Sequence, residues 1–544
     1  MKRTRTLPIF KWFILIGCLW AFQATAQQTY KAASCSGPDV QTAINNETAH
    51  AVDGDIITIP AGTCTWTGGT ALKGTFTTSV TIQGAGAISA TTGGASTTGS
   101  DQTIIIDNLT APSSNTTRPS STMSFTITSG KTIRITGFSL QANASSVAPS
   151  GGELSIGPSG NPLASSIRVD HMHLVARTGF YGLYIQGIGV ADHVYFDFAS
   201  FRVENGMYWG GVNDNGSADS SWADGDNWGT NKFFFVEDSR FHNGAINDAH
   251  NGGRYVLRHC TATADSINGN NNLQMFNHGL TNNRWRATRA AEVYQNNMVQ
   301  PQSGGGPGAG NPFYSLNSGT LLFWGNTVTQ YRGGVQMDYN RKQYVSTNYT
   351  YTPPPGNWGW CGSPSNWDEN TSSSGYACLD QGARGKGDLL NGQPFPSTLN
   401  SVTNSIAWPH QALSPVYLWL NNYTPSSGYS PVPPLLVSAA TQYTQNVDYY
   451  LDSGTFNGTT GIGSGAVLPT NPSAYTNAPN CTAGPGGNTP GVGYWDTSSN
   501  TLYVCTATNT WTAYYTPYTY PHPLTQSSTG ATVAPPTSLS AIVN

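Results

Sequence analysis

The chain is punctuated by short apolar runs that close alike: two hydrophobic residues, any residue, Asn, Asp or His, any residue, then a hydrophobic one. Such runs end at Leu174, Phe196, Phe241, Ala262, Met298, Val328 and Tyr423. Their polar positions are His171, His193, Asp238, His259, Asn296, Asn326 and Asn421. The first gaps are 22, 45 and 21 residues, one, two and one periods; the later gaps of 37 and 30 read as one period with an inserted loop. Short strands at a period of about 22, separated by Gly and Asn, predict a solenoid. The unit after Asp238 divides into three strands, Arg240–His242, Ala245–Asp248 and Arg254–Arg258. Turns at Asn243-Gly244 and Asn251-Gly252-Gly253 separate them. Three strands per rung make a parallel β-helix, in which stacked Asn and His satisfy turn backbone groups along the coil. Alternation along these strands predicts that Trp324, Trp419 and Glu292 point inward, with Glu292 paired internally to Arg289.

The start of the chain carries a second pattern. Val40-Gln41-Thr42-Ala43-Ile44 reads as an amphipathic helix, and the apolar stretch 51–66 follows it. Together with the asparagine-type ladder, this start resembles the right-handed parallel β-helix superfamily of pectate lyase. The resemblance covers residues 35–345, with later rungs near 416–460. It implies an all-β, right-handed parallel β-helix solenoid whose N-terminal helix caps the open end of the coil. The right hand also follows from the rule for parallel connections. The resemblance further implies a substrate groove along one sheet, flanked by long loops. It does not fix a function, because that fold hosts lyases, hydrolases, adhesins and phage spikes. No intact catalytic signature of any one family is present.

The expected organisation is a signal peptide over 1–26, a capped β-helix over 27–345, a loop insertion with the last rungs over 346–460, and a small β module over 461–544. That last stretch is rich in Gly, Pro, Thr and Tyr. Within it, residues 493–511 read as a hairpin with Ser498-Ser499-Asn500 in the turn.

Residues 1–11 are basic, and an 11-residue apolar run, too short to span a membrane, follows. Ala24-Thr25-Ala26 has the small-x-small form of a signal-peptidase site, giving a mature start at Gln27. A lipoprotein site at Cys18 is the alternative. Bacterial export to the medium or cell surface is expected, with no transmembrane segment. Export permits disulfides. The spacing suggests Cys35–Cys64, Cys361–Cys378 and Cys481–Cys505, and leaves Cys260 as a buried free thiol. Only 10% of residues are charged, against about 25% in typical soluble proteins, and the net charge is −4. A mildly acidic chain with 24 Lys and Arg is a poor nucleic-acid binder. Oligomeric state is not legible.

Candidate chemistry sits on the strand before each ladder strand, at Gly182–Gln186, Ala245–Asp248, Leu273–His278, Phe313–Asn317 and Gly334–Asp338. Rungs lie about 4.8 Å apart, so Gln186, Asp248, His278, Asn317 and Asp338 should form a line. Asp248, His278, Arg289 and Asp338 are the catalytic candidates. Either Asp could pair with His278 if adjacent. Arg254, Arg258, Arg284, Arg286, Arg289, Arg341 and Lys342 cluster nearby in a chain where basic residues are scarce. Arginine suits carboxylate binding, and elimination from a uronate needs its carboxylate neutralised and a base such as His278, Arg289 or Lys342. His250, Arg254, Arg258 and Arg286 are therefore candidate substrate contacts. Trp209 and Trp285 join them, with Trp222 and Trp228, as platforms for sugar stacking. Asp224 and Asp226, in a loop that also holds Asp214 and Asp219, are weak candidate calcium ligands; no cofactor is otherwise expected.

These residues point to a secreted enzyme that cleaves an acidic, uronate-containing polysaccharide by β-elimination or hydrolysis. The alternative is a non-catalytic carbohydrate-binding or adhesive surface protein; a phage-spike-like fibre unit is a third reading.

Overall fold

The computed structural model describes most of residues 26–526. Outside the described residues lie 1–25, 527–544 and several internal stretches, chiefly 111–120, 209–218, 266–272, 280–286, 301–311, 339–379, 388–410, 425–433 and 467–490. Three long parallel sheets form a β-helix: sheet A has twelve strands, and sheets B and C have ten each. Each rung passes through B, then C, then A; one runs through Arg240–His242, Asn247–Ala249 and Arg254–Arg258. Neighbouring rungs pair in parallel, as Arg254–Arg258 does with Ala290–Tyr294. Ile167, Val169, Phe196, Phe201, Phe241, Leu257 and their counterparts fill the interior.

The turn from sheet A into sheet B shows why the ladder motif recurs. His171, His193, Asp238 and His259 adopt positive φ, as do Gln295 and Leu420 in later rungs. The strand register aligns Arg258 with Tyr294 and Tyr294 with Trp324. The turn residue after them is thus His259, Gln295 and Gly325 in successive rungs. Asn296, Asn326 and Asn421 come one residue later. The expected ladder therefore merges two columns: the His171 and His193 rings stack in one at 5.1 Å, and the asparagines form the other. The Asn296 and Asn326 amides donate to the next asparagine's Oδ1 at 3.0–3.1 Å, and Asn326 Nδ2 also donates to Val293 O. Cys260, buried and free as expected, occupies this column one rung earlier and donates its backbone N–H to Asn296 Oδ1.

A helix over Gly37–His50 closes the N-terminal end of the coil. Ser36 caps it, Pro38 and Asp39 suit its first turn, and Val40, Ala43 and Ile44 are buried. The Cys35–Cys64 disulfide ties the helix entry to the first strand of sheet B. Cys361, Cys378 and Cys481 lie outside the described residues.

The C-terminal module is a four-stranded sheet containing the expected hairpin, Gly493–Asp496 with Thr501–Ala507. It lies against the outward face of sheet A. Trp324 stacks on Trp419 at 5.8 Å and meets Trp495 at 5.0 Å. Its tail continues along the same face: Arg258 donates to Tyr518 O and Thr519 O, Glu237 accepts from the His522 amide, and Arg168 donates to Leu524 O. Trp324, Trp419 and Glu292 therefore point outward, not inward, and Glu292 does not pair with Arg289. Because this part of sheet A is covered on both faces, Thr320–Trp324 is buried at every position and carries no alternation from which to read direction. No helix among the described residues is long and apolar enough to cross a membrane.

Candidate functional site

The strands expected to line the candidate face do share a sheet. Tyr181–Ile185, Ser200–Val203, Asn247–Ala249, Met275–Asn277, Tyr314–Leu316 and Val335–Met337 are successive neighbours in sheet C. Ser200–Val203 is a rung absent from the expected line. The register pairs Asp248 with Phe276, Ala249 with Asn277, Asn277 with Leu316 and Leu316 with Met337. His250, His278, Asn317 and Asp338 thus follow their strands in line. Asp248 sits two residues before His250 on the same outward face, so the group aligned with His278 is an imidazole, not a carboxylate.

Asp248, His250 and His278 nevertheless converge. His250 Nε2 lies 3.1 Å from Asp248 Oδ2, His278 Nε2 lies 3.6 Å from Asp248 Oδ1, and the two imidazoles stack at 3.8 Å. Their side chains are partly open: Asp248 is 20% exposed, His278 23% and His250 7%. The Tyr181 hydroxyl donates to Asp248 Oδ2 at 2.7 Å, and Arg202 donates to that hydroxyl at 3.3 Å. Arg202 also pairs with Glu204, whose Oε2 accepts from Tyr184 and Asn251. Gln186 donates to the Tyr184 hydroxyl at 2.9 Å. Burial opposes charge on Asp248, but the facing imidazoles of His250 and His278, and Arg202, hold its carboxyl well below the usual range. Burial and the neighbouring Asp248 charge push the Tyr181 hydroxyl up, so it stays a donor. Asp248 Oδ1 and His250 Nδ1 are buried without a hydrogen-bond partner.

The arginine cluster is elsewhere. Arg254, Arg258 and Arg289 are fully buried on the sheet A side. Arg254 donates to the carbonyls of Ser221 and Asp226, and burial together with the Arg289 guanidinium pushes its pKa well down. Arg258 pairs with Glu237 at 2.6 Å and Arg289 with Asp226 at 2.7 Å. These three side chains brace the coil against the covering segments and do not reach a substrate on sheet C. Trp222 is completely buried, donating to Ala287 O, and Trp228 packs with Phe233, so neither is a sugar platform. Asp226 also accepts from Ser414, while Asp224 binds Lys232 and Asn227. The two expected calcium ligands are thus held by protein donors. Asp338 accepts from Gln336, three rungs from Asp248, at least about 14 Å. Trp209, Asp214, Arg284, Trp285, Arg286, Arg341 and Lys342 lie outside the described residues.

Sequence reasoning passed over Tyr181, Tyr184, Arg202 and Glu204. Tyr181 and Tyr184 lie within or beside the expected strand at 182–186, where nothing local marks them as chemistry-bearing. Arg202 and Glu204 belong to the unrecognised rung, whose only signal is the alternation in Ser200–Val203. The fold and this face together define a parallel β-helix protein with an Asp–His–His centre on one open sheet. No protein-family model matches the chain, and no curated protein or solved structure matches it.

Proposed function

We propose that the chain is an exported enzyme, akin to the pectate-lyase-like superfamily, that cleaves an acidic, uronate-containing polysaccharide laid along the outward face of sheet C. The observation that carries this reading is the convergence of Asp248, His250 and His278 at mid-coil, beside the Tyr181 hydroxyl and the Arg202 guanidinium. A sugar on this face meets the imidazoles of His250 and His278 as proton carriers, held by the Asp248 carboxylate, with the Arg202 guanidinium, paired with Glu204, behind them. Elimination needs such a base beside the uronate. Hydrolysis by paired carboxylates needs them roughly 5–9.5 Å apart. Asp338 is three rungs, at least about 14 Å, from Asp248, and the nearer Glu204 is buried and taken by Arg202, Tyr184 and Asn251. β-Elimination is therefore the preferred chemistry. The apolar leader and the Cys35–Cys64 disulfide support export.

The test is a panel of pectate, alginate, glycosaminoglycans, xylan and neutral glucans, offered to the chain starting at Gln27. Ultraviolet absorbance of unsaturated uronate and release of reducing ends are followed together. Both should rise on one acidic polymer, and Asp248→Asn or His278→Ala should lower the rate by roughly 100-fold or more while the fold is kept. Reducing ends without absorbance would make the enzyme a hydrolase. Silence from a folded chain across the panel would sink the enzymatic reading in favour of a binding or adhesive surface protein.

A further inference from the structure

We infer that Asp248, His250 and His278 form a binding site for one divalent transition-metal ion, of the zinc or manganese kind, on the outward face of sheet C. One ligand atom from each of the three side chains lies within 4.8 Å of the other two. A tetrahedral ion with bonds of about 2.1 Å sets its ligands roughly 3.4 Å apart. His250 Nε2 lies 3.1 Å from Asp248 Oδ2 and His278 Nε2 lies 3.6 Å from Asp248 Oδ1, so a small turn of the carboxylate would present one oxygen to an ion between the two rings. Two imidazole nitrogens and one carboxylate suit first-row divalent ions, whereas calcium asks for six to eight oxygens. Three protein ligands leave at least one position open, and the partial exposure of His278 directs it to solvent.

The backbone builds this arrangement from register alone. His250 and His278 follow adjacent parallel strands in register, which stacks their rings, and Asp248 shares their face one pleat earlier. Tyr181 donates to Asp248 Oδ2 and orients the carboxylate, as partners of metal ligands commonly do. Arg202, which donates to the Tyr181 hydroxyl, is countered by Glu204. A second observation points to a missing ligand: Asp248 Oδ1 is buried and accepts no hydrogen bond, its near neighbour being His278 Nε2 at 3.6 Å, beyond hydrogen-bond reach. An ion would take up the unmet carboxylate lone pair. The site differs in place and ligand chemistry from the Asp224 and Asp226 pair, which protein donors occupy. Metal binding here does not depend on the face cleaving a polymer.

The experiment uses the untagged chain, stripped with a chelator and titrated calorimetrically with Zn²⁺ and separately with Ca²⁺. Co²⁺ serves as a visible-absorbance probe. One equivalent of Zn²⁺ should bind, and Co²⁺ should give the ligand-field band of a nitrogen–oxygen site. His278→Gln and His250→Gln should abolish both signals. Tyr181→Phe should weaken binding by about 10-fold. Circular dichroism confirms the fold of each variant; should His250→Gln not fold, the partly exposed His278→Gln decides alone. Absence of saturable binding by the folded chain would overturn the site, as would binding that survives the His278 change. Saturable Ca²⁺ binding lost with His278 would overturn the transition-metal assignment. Because the readouts are heat and absorbance, a polymer panel that stays silent leaves the metal result standing, and the reverse holds as well.

Discussion

At the scale of single residues, what a side chain does here depends on which face of the coil it meets. The asparagines at 296, 326 and 421 stack because each amide can donate and accept at once, matching turn groups of two rungs. Glu292 shows the opposite case. It lies buried on the outward face of sheet A, where Oε1 accepts from the Gly229 amide and the Tyr515 hydroxyl is close by. Burial pushes its pKa from 4.5 up to about 7, against the pull of that amide, of Tyr515 and of Arg258. A carboxyl whose folded value is raised favours its protonated form in the folded chain. Its contribution is fully present below 4.5 and is lost as pH rises towards about 7. Glu292→Gln cannot ionise, so its melting temperature should gain on that of the wild type as pH rises through this window. Parallel melting curves at every pH would show that Glu292 does not titrate there.

At the scale of elements, the N-terminal helix and the first rung act as one unit. The helix buries Val40, Ala43 and Ile44, and the Cys35–Cys64 bridge joins its entry to the strand that also carries Trp66. Trp66 Nε1 donates to Cys35 O at 2.9 Å, so the bridge is packed as well as bonded. A disulfide spanning 29 residues restricts the unfolded chain by roughly 2–4 kcal/mol. Replacing Cys35 and Cys64 with Ser should lower stability by about that much in chemical denaturation, with the loss centred on the capped end. Hydrogen exchange would locate it; uniform loss along the coil would contradict a local cap. Sheet C illustrates a further element-level rule. Parallel register alone brings His250 to His278, although 28 residues separate them in the chain.

At the scale of the whole molecule, the three sheets have unequal fates. From Ile188–Asp192 to Val416–Trp419 sheet A is buried on both faces, inside by the coil core and outside by the C-terminal module and its tail, whereas its first strands keep a partly open outer face. Sheet C leaves the Asp–His–His centre partly open. Removing residues 461–544 would uncover Leu322, Trp324, Tyr417 and Trp419, a contiguous apolar patch of the sort that drives aggregation. The truncated chain should aggregate or bind a hydrophobic dye strongly, as light scattering and dye fluorescence would record. A soluble, monomeric truncated chain with an unchanged melting temperature would mean the module is an accessory and not a wall of the fold.

The sequence by itself determined the architecture: the period of about 22, the three-strand rung at 240–258, the capping helix, the C-terminal hairpin and the buried Cys260 are all local patterns, set by turns and alternation. Local pattern also brought Asp248 and His278 onto one face. Tertiary structure alone decided three things. It buried Arg254, Arg258 and Arg289 beneath covering segments, because a covered outer face erases the polar alternation that signals direction. It turned Trp324, Trp419 and Glu292 outward, towards a module more than a hundred residues away from Trp324 and Glu292 in sequence. And it set His250 against His278 and Tyr181 against Asp248, because inter-rung register depends on insertions whose length a repeat pattern does not report.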